Sequence, residues 1–325
     1  MNRHLCKGIG AVLGMIIVIL DSKTALLGAS DGIDLCIKTV IPSLFPFFVL
    51  SNILINALSG FDSYLLRKMS SIFHISPGAE GLTICSFLGG YPVGAQSIGN
   101  LYLAKIISKK DAEELLAYCS NAGPAFIFGM ISCLFQSKKV PWILWMIHIA
   151  SAFLISRWFS DRKAVTGQYS VNHMSMTAAI TSAIKTMGQV CAWVILFRMV
   201  ICFLNRWVLW LFPIPVQILL SGFLEMTNGC IALKELADEK VRFIICSALL
   251  SFGGLCVGMQ TRAVTQGLSL KYYFYGKAAQ TIISAILSAT IVYQKWTVLL
   301  ILFVLFIAIP QFHQNKGSIP KMIRV

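Results

Sequence analysis

The stretch Phe87-Leu88-Gly89-Gly90-Tyr91-Pro92-Val93-Gly94-Ala95-Gln96 breaks an apolar segment with glycine, proline and polar side chains. Phe223-Leu224-Glu225-Met226-Thr227-Asn228-Gly229 does the same in the second half of the chain. Inside a bilayer such a break is tolerated only where protein or a water-filled cavity satisfies the freed N–H and C=O groups. Two breaks at corresponding places in two halves point to a binding site between inverted repeats, as in secondary transporters.

Around these breaks the 325 residues are 57% hydrophobic and only 12% charged, with a mean hydropathy of +0.77. A soluble domain of this size needs far more charge at its surface. The chain therefore reads as an all-α polytopic membrane protein. Its formal net charge is +14, but the basic residues sit in short runs between apolar segments, the pattern of cytoplasmic loops rather than of a nucleic-acid surface. The expected partners are a small-molecule solute and membrane lipid, with no nucleic acid; the sequence leaves a homo-oligomer open. The ten cysteines contain no C-x-x-C pair and lie mostly in apolar runs, so they read as small buried hydrophobes. The five histidines show no metal-ligand spacing. No metal or cofactor is expected beyond a coupling cation, sodium or proton.

Apolar segments run over 5–20, 39–58, 82–104, 115–135, 141–157, 187–205, 207–232, 243–260, 278–293 and 297–310, several shorter than the roughly 20 residues of a full span. The basic N-terminus, Arg67-Lys68, Lys109-Lys110, Arg162-Lys163 and the basic tail are assigned to the cytoplasm by the positive-inside rule. About eight transmembrane helices with both termini cytoplasmic, plus two re-entrant hairpins at 82–104 and 215–235, respect most of these charges. The residues after each hairpin, Lys109 to Glu114 and Lys234 to Lys240, read as short amphipathic surface helices. The first 30 residues also have the n-region and h-region of a secretory signal, with Leu27-Gly28-Ala29-Ser30 as a cleavage site. An uncleaved first span is preferred.

The halves look like repeats. Ile37-Lys38-Thr39 returns as Ile184-Lys185-Thr186, Phe87-Leu88 as Phe223-Leu224, and Ser120-Asn121-Ala122-Gly123-Pro124 as Ser251-Phe252-Gly253-Gly254, in the same order. With three full spans per repeat the second copy is inverted. The division is then 1–35 for the N-terminal helix and loop and 36–158 for the first repeat. A cytoplasmic linker follows at 159–182, then the second repeat at 183–294, and 295–325 holds the last helix and tail.

Among thirteen acidic residues, Glu225 alone lies deep in an apolar segment, and an intramembrane carboxylate is a functional hypothesis by default. It can coordinate a cation, carry a proton or hydrogen-bond a solute; the competing reading is an ion pair with Arg198, in the run 187–205. Thr227 and Asn228 follow it, offering a hydroxyl and an amide where a half-helix N-terminus would attract anions. Gly89, Gly90, Tyr91 and Pro92 contribute geometry in the first break. Asn121 and Pro124 interrupt the next span, and Gly254 and Gln260 the later one, so that four breaks converge at the membrane midplane. The competing reading of the glycines is tight helix packing. No G-x-x-x-x-G-K-[ST] loop and no recognisable catalytic arrangement is present, so neither an ATP-driven pump nor an enzyme is expected.

F-L-G-G-Y-P-V-G-A at 87–95, N-A-G-P-A-F-I-F-G at 121–129 and G-F-L-E-M-T-N-G at 222–229 together resemble the nucleoside-recognition, or Gate-domain, membrane proteins, and among them the sporulation integral membrane proteins of YlbJ type. The similarity runs from about residue 35 to 290. It implies kinship with concentrative nucleoside transporters, a place in the bacterial cell membrane or forespore membrane, and transport during endospore formation and spore cortex formation, with dipicolinate as the implied cargo. It also implies substrate or ion contacts at Gly89, Gly90, Tyr91, Pro92, Asn121, Pro124, Glu225, Thr227 and Asn228. A complete nucleoside-binding signature is not matched. A dianion such as dipicolinate needs cationic groups or half-helix N-termini, for which Arg198 is suited, whereas a nucleoside is read by hydrogen bonds and stacking. A non-transporting membrane scaffold of a sporulation complex is the rival, in which loops such as 157–185 matter most.

Overall fold

The computed structural model describes residues 3–58, 79–159 and 175–295, with Tyr64, Lys68, Ser71 and Thr297. The tail, the last expected span and most of the 159–182 linker lie outside the described residues. Every described regular element is helical. Among the described residues, four helical stretches are long and apolar enough to cross a membrane unaided: Ser22–Leu54, Val140–Phe159, Met176–Trp207 and Glu239–Val264. Large apolar side chains such as Ile19, Leu26, Leu50, Trp210 and Ile282 are exposed around the molecule, as contact with lipid requires.

α1 (Arg3–Leu20) is apolar and largely exposed. α2 (Ser22–Leu35) starts at Asp21, whose carboxylate accepts from the Thr24 N–H at 3.3 Å. A π-helical turn, Cys36–Val40, carries the chain into α3 (Ile41–Leu58). By its sequence 21–35 reads as a loop, since Lys23, Asp31 and Asp34 dilute its apolar pattern. Instead α2 packs along the long helix that opens the second half: a Cβ on Gly28 would stand 2.7 Å from the Met199 Cα, so only glycine allows this approach. The supposed cleavage site is thus part of a helix-packing seam.

The first hairpin is α4 (Glu80–Gly89) and α5 (Val93–Leu103), packed on each other. α6 (Lys109–Leu116) follows, N-capped by Ser108. Expected as a surface helix, it exposes Lys109 and Lys110 but buries Ala112, Leu115 and Leu116 against the core. An irregular stretch, 117–123, leads to the short α7 (Pro124–Gly129), where proline takes the first helical position. α8 (Val140–Phe159) completes the half.

The second half repeats this order. α9 (Met176–Trp207) packs on α2 and α3, and α10 (Ile214–Leu224) and α11 (Met226–Ala232) form the second hairpin. α12 (Glu239–Phe252) and α13 (Gly254–Val264) form a helix broken at Gly253, and α14 (Lys271–Val292) packs on α12, α8 and α6. The second expected surface helix is only a 3-10 turn, Leu233–Glu235, followed by the Asp238 cap of α12. The expected span 243–260 is therefore two half-helices and 115–135 an irregular stretch with a short helix, so that each helical piece alone is too short to cross.

Candidate substrate site

Between α4 and α5, Gly90 adopts φ +73° and the Tyr91-Pro92 peptide is cis. The close approach of Gly90 to Gly123 seats the first hairpin's break on the irregular stretch 117–123. In the second half Gly254 has φ +82°, and a Cβ there would stand 3.1 Å from the Met226 nitrogen, so the second hairpin's break seats on the break between α12 and α13. Tyr91 joins the two assemblies: its hydroxyl donates to the Leu250 carbonyl at 3.3 Å and its ring lies against Gly253. All four interruptions thus meet.

Glu225 caps α11. Its buried carboxylate accepts from the Thr227 N–H at 3.0 Å, the Asn228 N–H at 2.8 Å and the Asn228 Nδ2 at 2.7 Å. An acidic N-cap satisfies orphan donors and complements the positive end of a helix, so the local sequence E-M-T-N both breaks and restarts the helix. The N–H groups expected to attract an anion are therefore taken by Glu225. The anticipated Arg198–Glu225 ion pair does not form. Arg198 Nη1 donates to Asn228 Oδ1 at 2.6 Å, and its Nη2 pairs with Asp31 of α2 at 3.1 Å. Asp31 was missed because α2 was read as a loop.

A small, half-open cleft of about 40 Å³ lies beside this cap. Its polar lining is Tyr91, Glu225, Thr227, Gln260, Thr39 and Ser43, with Phe126 and Val257 among the apolar walls. Among the described lining residues there is one carboxylate and no lysine or arginine. Gly89, Gly90, Pro92 and Gly254 shape the breaks without lining the cleft, Pro124 opens α7, and Asn228 and Arg198 sit behind Glu225. Thr39 belongs to the repeated Ile37-Lys38-Thr39 landmark, and its counterpart Thr186 donates to Gln96 Oε1 of the first hairpin at 2.9 Å.

Tyr91 also joins a polar network that sequence reading missed apart from Asn121. Lys277 of α14 is 0% exposed; its amine donates to Tyr91 Oη at 3.1 Å and Gln280 Oε1 at 2.7 Å, 5.1 Å from the Tyr91 ring centre. Gln280 Nε2 donates to Asn121 Oδ1 at 3.1 Å and to the His148 carbonyl at 3.2 Å. His148 Nε2 accepts from the Ala122 N–H at 2.9 Å, which assigns the ring proton to Nδ1, facing Ser251 Oγ at 3.3 Å. One irregular stretch is thereby tied to α8, α12 and α14.

The fold and cleft define an integral membrane protein whose interrupted helices meet beside an internal cleft. The chain is similar to the sporulation integral membrane protein YlbJ of Bacillus subtilis (strain 168), at 26% identity over 318 residues covering 83% of this chain and 78% of that protein. This supports the resemblance to YlbJ-type proteins carried by the three motifs; kinship with Gate-domain proteins rests on the motifs alone. No family model matches the chain, and no solved structure matches it.

Proposed function

We propose that this protein is a secondary transporter that moves a small polar solute across a bacterial membrane, the cell's own or a forespore's, during endospore formation. The observation that carries the reading is the meeting of four backbone breaks beside one cleft that two of them line, through Tyr91 and through Glu225 and Thr227, since unwound backbone in a membrane protein is tolerated where it is buried in protein or lines a cavity. The repeated order of elements supports two inverted repeats that rock about the hairpins in alternating access, with a coupling cation and without enzymatic chemistry. The similarity to a sporulation membrane protein supports the cellular setting.

Dipicolinate is the cargo the family resemblance implies. A second reading, a neutral solute such as a nucleoside, is favoured by the lining: Glu225 is its carboxylate, Arg198 is engaged with Asp31 and Asn228, and Tyr91 and Phe126 offer aromatic walls for a planar ring. Uptake of labelled dipicolinate and labelled uridine into proteoliposomes decides between them. Saturable uptake of one identifies the class of cargo. No uptake of either by folded protein would overturn transport in favour of a scaffold.

A further inference from the structure

Lys277 is fully buried, yet its contacts are a phenol, a ring face and an amide oxygen. Among the described residues no carboxylate lies within ion-pair distance of it. Around it are Tyr91 from the first break, Cys119 and Asn121 from the stretch after α6, and His148 from α8; the Leu250 carbonyl and Ser251 at the end of α12 bond Tyr91 and His148 in turn, and Tyr273 lies one turn back on α14. The acids of α6 are engaged elsewhere: Asp111 accepts from the Ser108 hydroxyl, Glu113 from the Ser269 N–H, and Glu114 pairs with Lys110. The other ionisable groups of α12 also point away, Arg242 donating to the Leu134 and Leu236 carbonyls and Cys246 facing Cys230. An ionisable side chain inside an apolar membrane core is expensive and marks ion and proton pathways. Here it stands where breaks from both halves meet, bonded to Tyr91, which lines the cleft.

We propose that Lys277 is the coupling residue of the transporter: its amine takes up a proton from one side of the membrane and releases it to the other as the breaks rearrange around the solute. The bookkeeping is one amine and one proton forming one ammonium, and the reverse on the opposite face. The Tyr91 and Gln280 oxygens already hold the amine, so this locus needs no sodium. Movement of the first hairpin shifts Tyr91, which both lines the cleft and accepts from Lys277. Occupancy of the cleft and access of water to the amine are thereby linked. This inference rests on the transport reading above.

The test measures uptake of labelled uridine and labelled dipicolinate by wild-type proteoliposomes under an imposed pH gradient without sodium, and under a sodium gradient at equal pH. Accumulation with the pH gradient alone is expected. Lys277→Met should lose accumulation at least tenfold yet keep solute counterflow, which needs no net coupling, and Lys277→Arg should behave alike because its charge is permanent. If Lys277→Met fails to fold by size-exclusion profile, Lys277→Arg carries the same test. Sodium-driven accumulation by wild type, or pH-driven accumulation intact in either folded variant, overturns the role of Lys277 and leaves transport standing. No uptake by folded wild type overturns transport and the coupling role together.

Discussion

Gly90 and Gly123 meet backbone to backbone: a Cβ added to Gly90 would stand 2.8 Å from the Gly123 nitrogen and 2.9 Å from its Cα. Gly90 also holds φ +73° and ψ −172°, a region open essentially to glycine. Gly90→Ala therefore combines backbone strain of about 1–3 kcal/mol with overpacking of about 1–3 kcal/mol. Gly188, inside α9, has nothing within 4 Å of an added Cβ, and alanine there gains up to roughly 1 kcal/mol of helix propensity. The thermal midpoint in detergent should fall for Gly90→Ala and stay or rise for Gly188→Ala. Equal shifts in both would remove the claim that the break is a packed junction.

Glu225→Gln keeps the size of the cap but presents an amide group where two N–H donors and the Asn228 amide converge. Expulsion of its NH₂ from that cluster should reorient Thr227, which lines the cleft. Uptake is expected to fall at least tenfold, with membrane insertion and elution profile preserved. Thr227→Ser, which keeps the hydroxyl, should retain most of the rate. Full uptake by Glu225→Gln would disconnect the cap from transport.

His148→Phe fills a similar volume but leaves the Ala122 N–H without its acceptor, and a buried unsatisfied donor costs about 1–3 kcal/mol. His148→Gln offers a carbonyl oxygen in reach of the same N–H and should recover part of the loss. Melting curves of the two variants check the order. A Phe variant as stable as wild type would mean that water, not the ring, serves that donor.

The breaks were legible because glycine, proline and amide side chains interrupt long apolar runs, and nothing else in a bilayer excuses them. Glu225 was legible for the same reason. Lys277 was not: it falls at the edge of the run 278–293 beside Gly276, where a lysine ordinarily reads as an interfacial residue. Only the packing of α14 on the end of α6 and the stretch after it, where Gly276 meets the Ala117 carbonyl, draws that edge into the core. His148 looked like a scattered histidine because its partners are a backbone N–H and a serine more than 100 residues away in sequence. The partner of Arg198 was misread because a carboxylate in an apolar run outranks one in a polar-looking segment, until tertiary packing makes that segment a helix.

The seam between α2 and α9 allows a test of that misreading. Gly28 lets α2 approach so closely that Asp31, one turn on, reaches Arg198, while Thr24, one turn back, and Asp21, two turns back at the cap, reach Arg206. A leucine at Gly28 must push the Met199 backbone away and so separate every one of these pairs. Asp31→Asn in the otherwise native protein should cost roughly 1 kcal/mol or less, as partly exposed pairs do. Arg198→Met should cost more, because it also strips Asn228 of its donor and loosens the Glu225 cap. In the Gly28→Leu background the additional effect of Asp31→Asn should vanish, since the pair is already broken, and a double-mutant cycle on melting temperatures reads that coupling directly. If the two changes add independently, Asp31 is not held to Arg198 by the approach at Gly28.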